Sequence, residues 1–126
     1  MNNDEIFENL IFYQRQNEKS PISDYYKNLD KKIRAKIVSY VLLLIKYEGK
    51  LGMPYARHID GKIWELRVDF DKNYYRIFYF ILIDNKIVFL HGFNKKSNKT
   101  PHKEIEKSKN NYDDFIKNFK YKPYEG

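Results

Sequence analysis

Ten consecutive residues, Tyr74 to Ile83, are apolar at odd and even positions alike, with Arg76 the single exception. A strand of that composition is stable only where both of its faces are covered. The segment therefore predicts the centre of a sheet, and what flanks it decides the architecture. Upstream, Trp64, Leu66, Val68 and Phe70 alternate with Ile63, Glu65, Arg67 and Asp69, the period of a strand with one buried face and one wetter one. Downstream, Asp84-Asn85 suits a tight turn into a strand from Lys86 to Phe93. The three segments predict an antiparallel meander.

Before the meander the period is helical. Ser20-Pro21 has the form of an N-cap with Pro in the first turn, and Ile22, Tyr25, Tyr26 and Leu29 share a helical face. From Asp30 to Glu48 a stripe of Ile33, Ile37, Val41, Leu44 and Ile45 predicts a second helix, with Gly49 as its C-cap. Ile6 to Tyr13 lacks a clear period, and its β-branched and aromatic content predicts a first strand. Gly52-Met53-Pro54 breaks the helical pattern, and the polar segment through Gly61 reads as a loop or a short extended stretch. Thr100-Pro101 repeats the cap-plus-Pro form ahead of a C-terminal helix carrying Ile105, Tyr112, Phe115, Ile116 and Phe119. The expectation is an α+β sandwich: an antiparallel sheet with a helical hairpin packed on one face and a C-terminal helix. One domain over 1–120 and a frayed tail over 121–126 complete it.

No Cys is present, so disulfides, thiolate metal sites and thiol nucleophiles are excluded together. His58, His91 and His102 lack ligand spacing, and no metal or cofactor is expected. The polar start, Met1-Asn2-Asn3-Asp4-Glu5, is not followed by a long apolar run, which predicts a cytoplasmic protein without signal or membrane span. With 24 Lys and Arg against 17 Asp and Glu the chain carries +7, a balance that favours anionic partners, nucleic acid first. An AT-biased genome and a solvated surface would give the same count, so chemistry must be sought in particular residues.

Arg76 is one. A charge in a buried strand is either paired with Glu65 or Asp69 on the neighbouring strand or aimed at a ligand. Arg67 lies on the wetter parity of its strand and matters if it converges with Arg76 on one anion. The run from His91 to His102 carries Lys95, Lys96 and Lys99 to the start of the last helix, whose opening turn favours anions. A plain hydrophilic loop explains the same run. His91, between Leu90 and Gly92, suits a hydrogen-bonded structural role, and no carboxylate–His pair is evident from spacing.

The ordered series Gly52-Met53-Pro54-Tyr55, Asp60-Gly61, Trp64-Glu65-Leu66-Arg67, Tyr75-Arg76-Ile77-Phe78-Tyr79, His91-Gly92-Phe93, Lys95-Lys96 and Lys99-Thr100-Pro101 resembles the signature of HigB-like toxins of the RelE/ParE superfamily. The similarity runs from Ser20-Pro21-Ile22 to Glu104-Ile105-Glu106-Lys107 and so covers nearly the whole chain. The resemblance implies a RelE-like compact sandwich and a type II toxin that cleaves mRNA, usually on the ribosome. It also implies inhibition by a helix-turn-helix, HigA-like antitoxin. By the same resemblance Arg76 matches the Arg that stabilises the scissile phosphate. Arg67, Lys95 and Lys96 match basic positions of the nuclease branch, and His102 lies near an ionisable position. The candidate catalytic set is therefore Arg67, Arg76, Lys95, Lys96 and His102, with Tyr55, Arg57, Tyr75, His91 and Lys99 as candidate RNA contacts.

A metal-independent endoribonuclease needs a base for the 2′-hydroxyl, an acid and stabilisation of phosphorane charge. Arg76 and Arg67 would clamp the phosphate, with a Lys or His102 moving the proton. The rivals are a ParE-like inhibitor of gyrase and a non-catalytic RNA-binding module, which use the same basic face without cutting.

Overall fold

The structure, a computed structural model, describes residues 4–97 and 99–126. Met1 to Asn3, the beginning of the polar start, and Asn98 of the Lys-rich run lie outside the described residues. The meander is present as β3 (Ile63–Phe70), β4 (Asn73–Leu82) and β5 (Lys86–Lys95). Between β4 and β5, Asp84 and Asn85 adopt φ of 65° and 59°, the left-handed pair that a tight hairpin turn demands and that Asp and Asn tolerate. The stretch expected to be loop or short extended chain supplies β2 (Ala56–Asp60), antiparallel to β3.

The other sheet edge departs from expectation. Ile6 to Tyr13 is not one strand. Its first half lies in a short helix, α1 (Asp4–Asn9), with acidic residues in its first turn and Asn9 Nδ2 donating to the Glu5 carbonyl at 2.8 Å. Only Leu10–Tyr13 is extended, as β1, which runs parallel to β5. Tyr121–Pro123, expected to fray, forms β6 antiparallel to β1, and Tyr124 N donates to the Leu10 carbonyl at 3.0 Å. The six strands stand in the order β2-β3-β4-β5-β1-β6. The sheet is therefore mixed, not antiparallel.

The helices divide between its faces. In α2 (Pro21–Lys27), Ser20 is the N-cap and its hydroxyl accepts from Ser23 N, as the sequence predicts. In α3 (Lys31–Lys46) the predicted stripe is buried at Ile33, Ile37, Val41 and Leu44, and Gly49, at φ 80°, returns its N–H to the Leu44 carbonyl. This hairpin covers the face carrying Leu66, Val68, Ile77 and Tyr79. There Gly92 is pressed so closely beneath α2 that a Cβ would stand 2.4 Å from the Tyr25 ring. The C-terminal helix α4 (His102–Asn118) packs on the opposite face, where Tyr112 and Phe115 meet the Phe80 ring edge to face. Helices thus lie on both sides, which is why β4 is apolar at every parity.

Along β5 the alternation slips. Phe78 pairs with His91 but Tyr79 pairs with Phe89, while the β3–β4 register runs unbroken, so β5 holds one extra residue at Leu90. Ile87 and Phe89 therefore face the hairpin, whereas His91, Phe93 and Lys95 face the side of α4.

Candidate functional site

On the α4 face, where an apolar sheet would continue, β2, β3, β4 and β5 instead contribute Arg57, Glu65, Arg67, Arg76 and Lys95. Register alone brings them together: Arg57 stands opposite Glu65, Arg67 opposite Arg76, and Tyr74, two residues from Arg76, opposite Lys95. At their centre is the Glu65 carboxylate, 0% exposed. Its Oε1 lies 2.8 Å from Arg67 Nη1, 3.5 Å from Arg57 Nη2 and 4.0 Å from Arg76 Nε. Its Oε2 accepts from the Thr100 hydroxyl at 2.8 Å, and that hydroxyl oxygen in turn accepts from Arg57 Nη2 at 3.0 Å and Lys95 Nζ at 3.1 Å.

A buried carboxylate needs partners, and this one has enough. The reverse does not hold. Four cations share Glu65, with Asp69 the other carboxylate, 2.6 Å from Arg76 Nη1. Positive charge is left over. Arg76 is 0% exposed, and among the described residues its Nε and Nη2 make no hydrogen bond. Two buried donors left idle cost on the order of 1–3 kcal/mol each, the kind of cost that folded proteins keep mainly at working sites. The guanidinium carbon lies 5.5 Å from the centroid of the Tyr74 ring, within cation–π range. Chemically, the corner is a preorganised fork for the oxygens of a tetrahedral anion.

Lys95 is 7% exposed. Burial pushes its ammonium below the ordinary lysine value; Glu65 opposes this, and the charges of Arg76, Arg67 and Arg57 reinforce it. It is thereby moved toward the neutral amine, the form that can take a proton.

Of the residues singled out by sequence, Arg57, Arg67, Arg76 and Lys95 meet here, and both carboxylates named as alternative partners for Arg76 are indeed beside it. The others do not meet. Lys96 and Lys99 are exposed beyond the end of β5. The His102 side chain is 83% exposed and pairs with Glu106 at 3.5 Å along its own helix. Tyr75 lies on the hairpin face, opposite Val68 and Asn94. Tyr55 stacks edge to face on Tyr40 of α3 and touches the corner only through its carbonyl, which accepts from Arg67 N at 2.8 Å.

A profile of the phage-derived Gp49-like protein family (DUF891) matches residues 24–113, a span that holds every member of the cationic corner. The chain belongs to this family. The Gp49-like family is associated with toxin–antitoxin proteins of the RelE type. No curated protein matches the chain at a significant level. No helix of this Gp49-like protein, among the described residues, is long and apolar enough to cross a membrane.

Sequence reasoning missed Thr100 and Glu104 and, while naming Glu65 as a partner for Arg76, missed its burial. Glu65 falls on the wetter parity of its strand, yet it is as fully enclosed as Arg76. Thr100-Pro101 has the form of a cap for α4, but among the described residues no side chain caps that helix, and the Thr100 hydroxyl is engaged by Glu65, Arg57 and Lys95. Glu104 pairs with His91, Nε2 to Oε2 at 2.8 Å, so a carboxylate–His pair does exist. The only signal for it was that His91 ends a strand and Glu104 opens the helix that packs on it.

Proposed function

We propose that this Gp49-like protein is a toxin of a type II toxin–antitoxin system, RelE-like in fold and close to the HigB branch, that cleaves mRNA on the translating ribosome. The observation that carries the reading is the Arg76 guanidinium, buried with two idle donors at the meeting point of three further cations. RNA cleavage by its own 2′-hydroxyl needs no cofactor; it needs the developing charge on the phosphorane held still. Arg76 and Arg67 hold the non-bridging oxygens, Arg57 steers the strand, and Lys95, shifted toward its neutral form, takes the 2′-hydroxyl proton. Lys96 and Lys99 add long-range attraction without touching the bond that breaks. The partner that silences the site in the cytoplasm is a HigA-like helix-turn-helix antitoxin.

The test is cleavage of a defined message on programmed ribosomes. Arg76→Ala, with its circular dichroism unchanged, lowers the rate by about 100-fold or more if the guanidinium stabilises the transition state. Near-wild-type cutting removes Arg76 from the site. Intact message together with trapped gyrase–DNA complexes transfers the protein to the gyrase-poisoning relatives.

A further inference from the structure

The cationic corner supplies a clamp and a base but no group to protonate the departing oxygen. Along the sheet from Glu65 the directly opposed residues are Phe78 on β4 and then His91 on β5, all on the α4 face. Phe78 is thus flanked by Glu65 on one side and the His91 ring on the other, the Phe78 and His91 ring centroids 6.3 Å apart and nearly parallel. His91 is also the diagonal neighbour of Arg76, which pairs with Phe93, and diagonal neighbours on one face stand roughly 7–8 Å apart.

The ring is held as a proton donor must be. Burial would push the Glu104 carboxyl up, but its hydrogen bond with His91 and the charges of Lys107 and Lys103 outweigh this and keep it below the usual carboxylate range. As a carboxylate it can only accept, so Nε2 carries the hydrogen of the 2.8 Å contact. Nδ1 is the nitrogen left to exchange a proton, and among the described residues it makes no hydrogen bond. The ring also lines an open pocket of about 360 Å³ shared with Leu90, Arg15, Lys107, Asn110 and Asn111. The charged groups facing His91 are thus Glu104 and Lys107 from α4 and Arg15 from the segment after β1. Phe78 and Phe93 pack against the ring from the sheet.

We propose that His91, oriented by Glu104, is the catalytic acid of the cleavage, and that the neighbouring pocket receives the RNA on the leaving side of the bond. This rests on the nuclease reading above. In-line displacement puts the attacking and leaving oxygens on opposite sides of phosphorus, and Lys95 and His91, on one face of β5, lie on opposite sides of Phe93 along that strand. Lys95 removes the 2′-hydroxyl proton, the 2′-oxygen bonds to phosphorus, and the phosphorus–5′-oxygen bond breaks. His91 delivers its proton to that 5′-oxygen. The products are a 2′,3′-cyclic phosphate and a free 5′-hydroxyl, with one proton taken and one given.

A message bearing a single sulfur in place of the bridging 5′-oxygen at the cleaved bond separates this role from a structural one, because a thiolate leaves without being protonated. On programmed ribosomes, His91→Asn should slow the oxygen substrate by about 100-fold or more while cutting the sulfur substrate near the wild-type rate. Glu104→Gln should show the same asymmetry more weakly. Equal slowing of both substrates would make the pair a clasp for α4 only, and no slowing of either would remove it from the site; each overturns the proposal while leaving the nuclease reading intact. Wild-type protein that cuts neither substrate overturns both.

Discussion

Glu65 and Leu66 are adjacent on one strand, both fully buried, and they look into two different kinds of interior. Leu66 joins Val68, Ile77 and Tyr79 beneath the helical hairpin, where burial is a matter of apolar area and close fit. Glu65 joins Arg57, Arg67, Arg76 and Lys95 on the other face, where burial is a matter of charge. The same backbone serves both because strand alternation separates them completely. One face supplies stability in surplus, and the other holds like charges together against their repulsion. A site that must grip a polyanion has to be built in advance, and the dry face holds it in place.

Removing one side chain from each face tests that contrast most severely. Glu65→Ala leaves buried cations uncompensated and should cost about 3–5 kcal/mol in urea unfolding. Leu66→Ala should cost a similar 2–5 kcal/mol through the cavity it leaves. The two are told apart by sulfate, which should restore much of the Glu65→Ala loss, through binding among the guanidiniums, and little of the Leu66→Ala loss beyond the general salting-out effect. Equal rescue would erase the distinction between the faces.

A smaller effect probes the close approach of β5 to α2. Gly92→Ala places a methyl group against the Tyr25 ring, which can turn only by leaving its contact with Asn94, and should lower stability by about 1–3 kcal/mol. Cleavage per folded molecule should stay unchanged, since the strain falls on the hairpin side; a fall in rate would mean that the faces communicate.

The smallest effect lies outside both faces. The Tyr13 hydroxyl donates to Asp114 at 2.6 Å and is the main reason that this carboxyl sits below its ordinary value. The sign follows from linkage: a depressed carboxyl stabilises the fold above its unfolded value, and the gain is lost as acid protonates it. Tyr13→Phe should therefore lower the urea midpoint slightly at neutral pH and converge with wild type as the pH falls below the ordinary aspartate range and the folded carboxyl is protonated. A gap that persists in acid would assign the loss to packing.

Much of this was legible in the sequence, because period is a local property. The meander, the hairpin helices and the Ser20 cap follow from spacing alone. What failed to show depended on distant partners. Glu65 reads as solvent-facing until Thr100, thirty-five residues on, is seen to cover it. Thr100-Pro101 reads as a cap because nothing nearby announces another use for the hydroxyl. Tyr121–Pro123 is too short and polar to signal a strand and becomes one only because β1 offers a free edge. Within the site, Arg76 stood out because a charge inside an apolar run is anomalous on its face, while His91 and Glu104 did not, since neither is unusual where it stands.

The extra residue at Leu90 sets the phase of β5 on either side of it. Ahead of it the strand keeps time with the oily side, and after it the beat is inverted, so that the positions bearing His91, Phe93 and Lys95 belong to the wet side. Loss of Leu90 itself would straighten the strand and leave each of these side chains on its present face, whereas loss of a residue between His91 and Lys95 would turn part of the set inward. Packing and chemistry on this strand are therefore joined by a count, and lineages of this protein should tolerate removal of the residue at the bulge better than removal of one from the stretch 91–95.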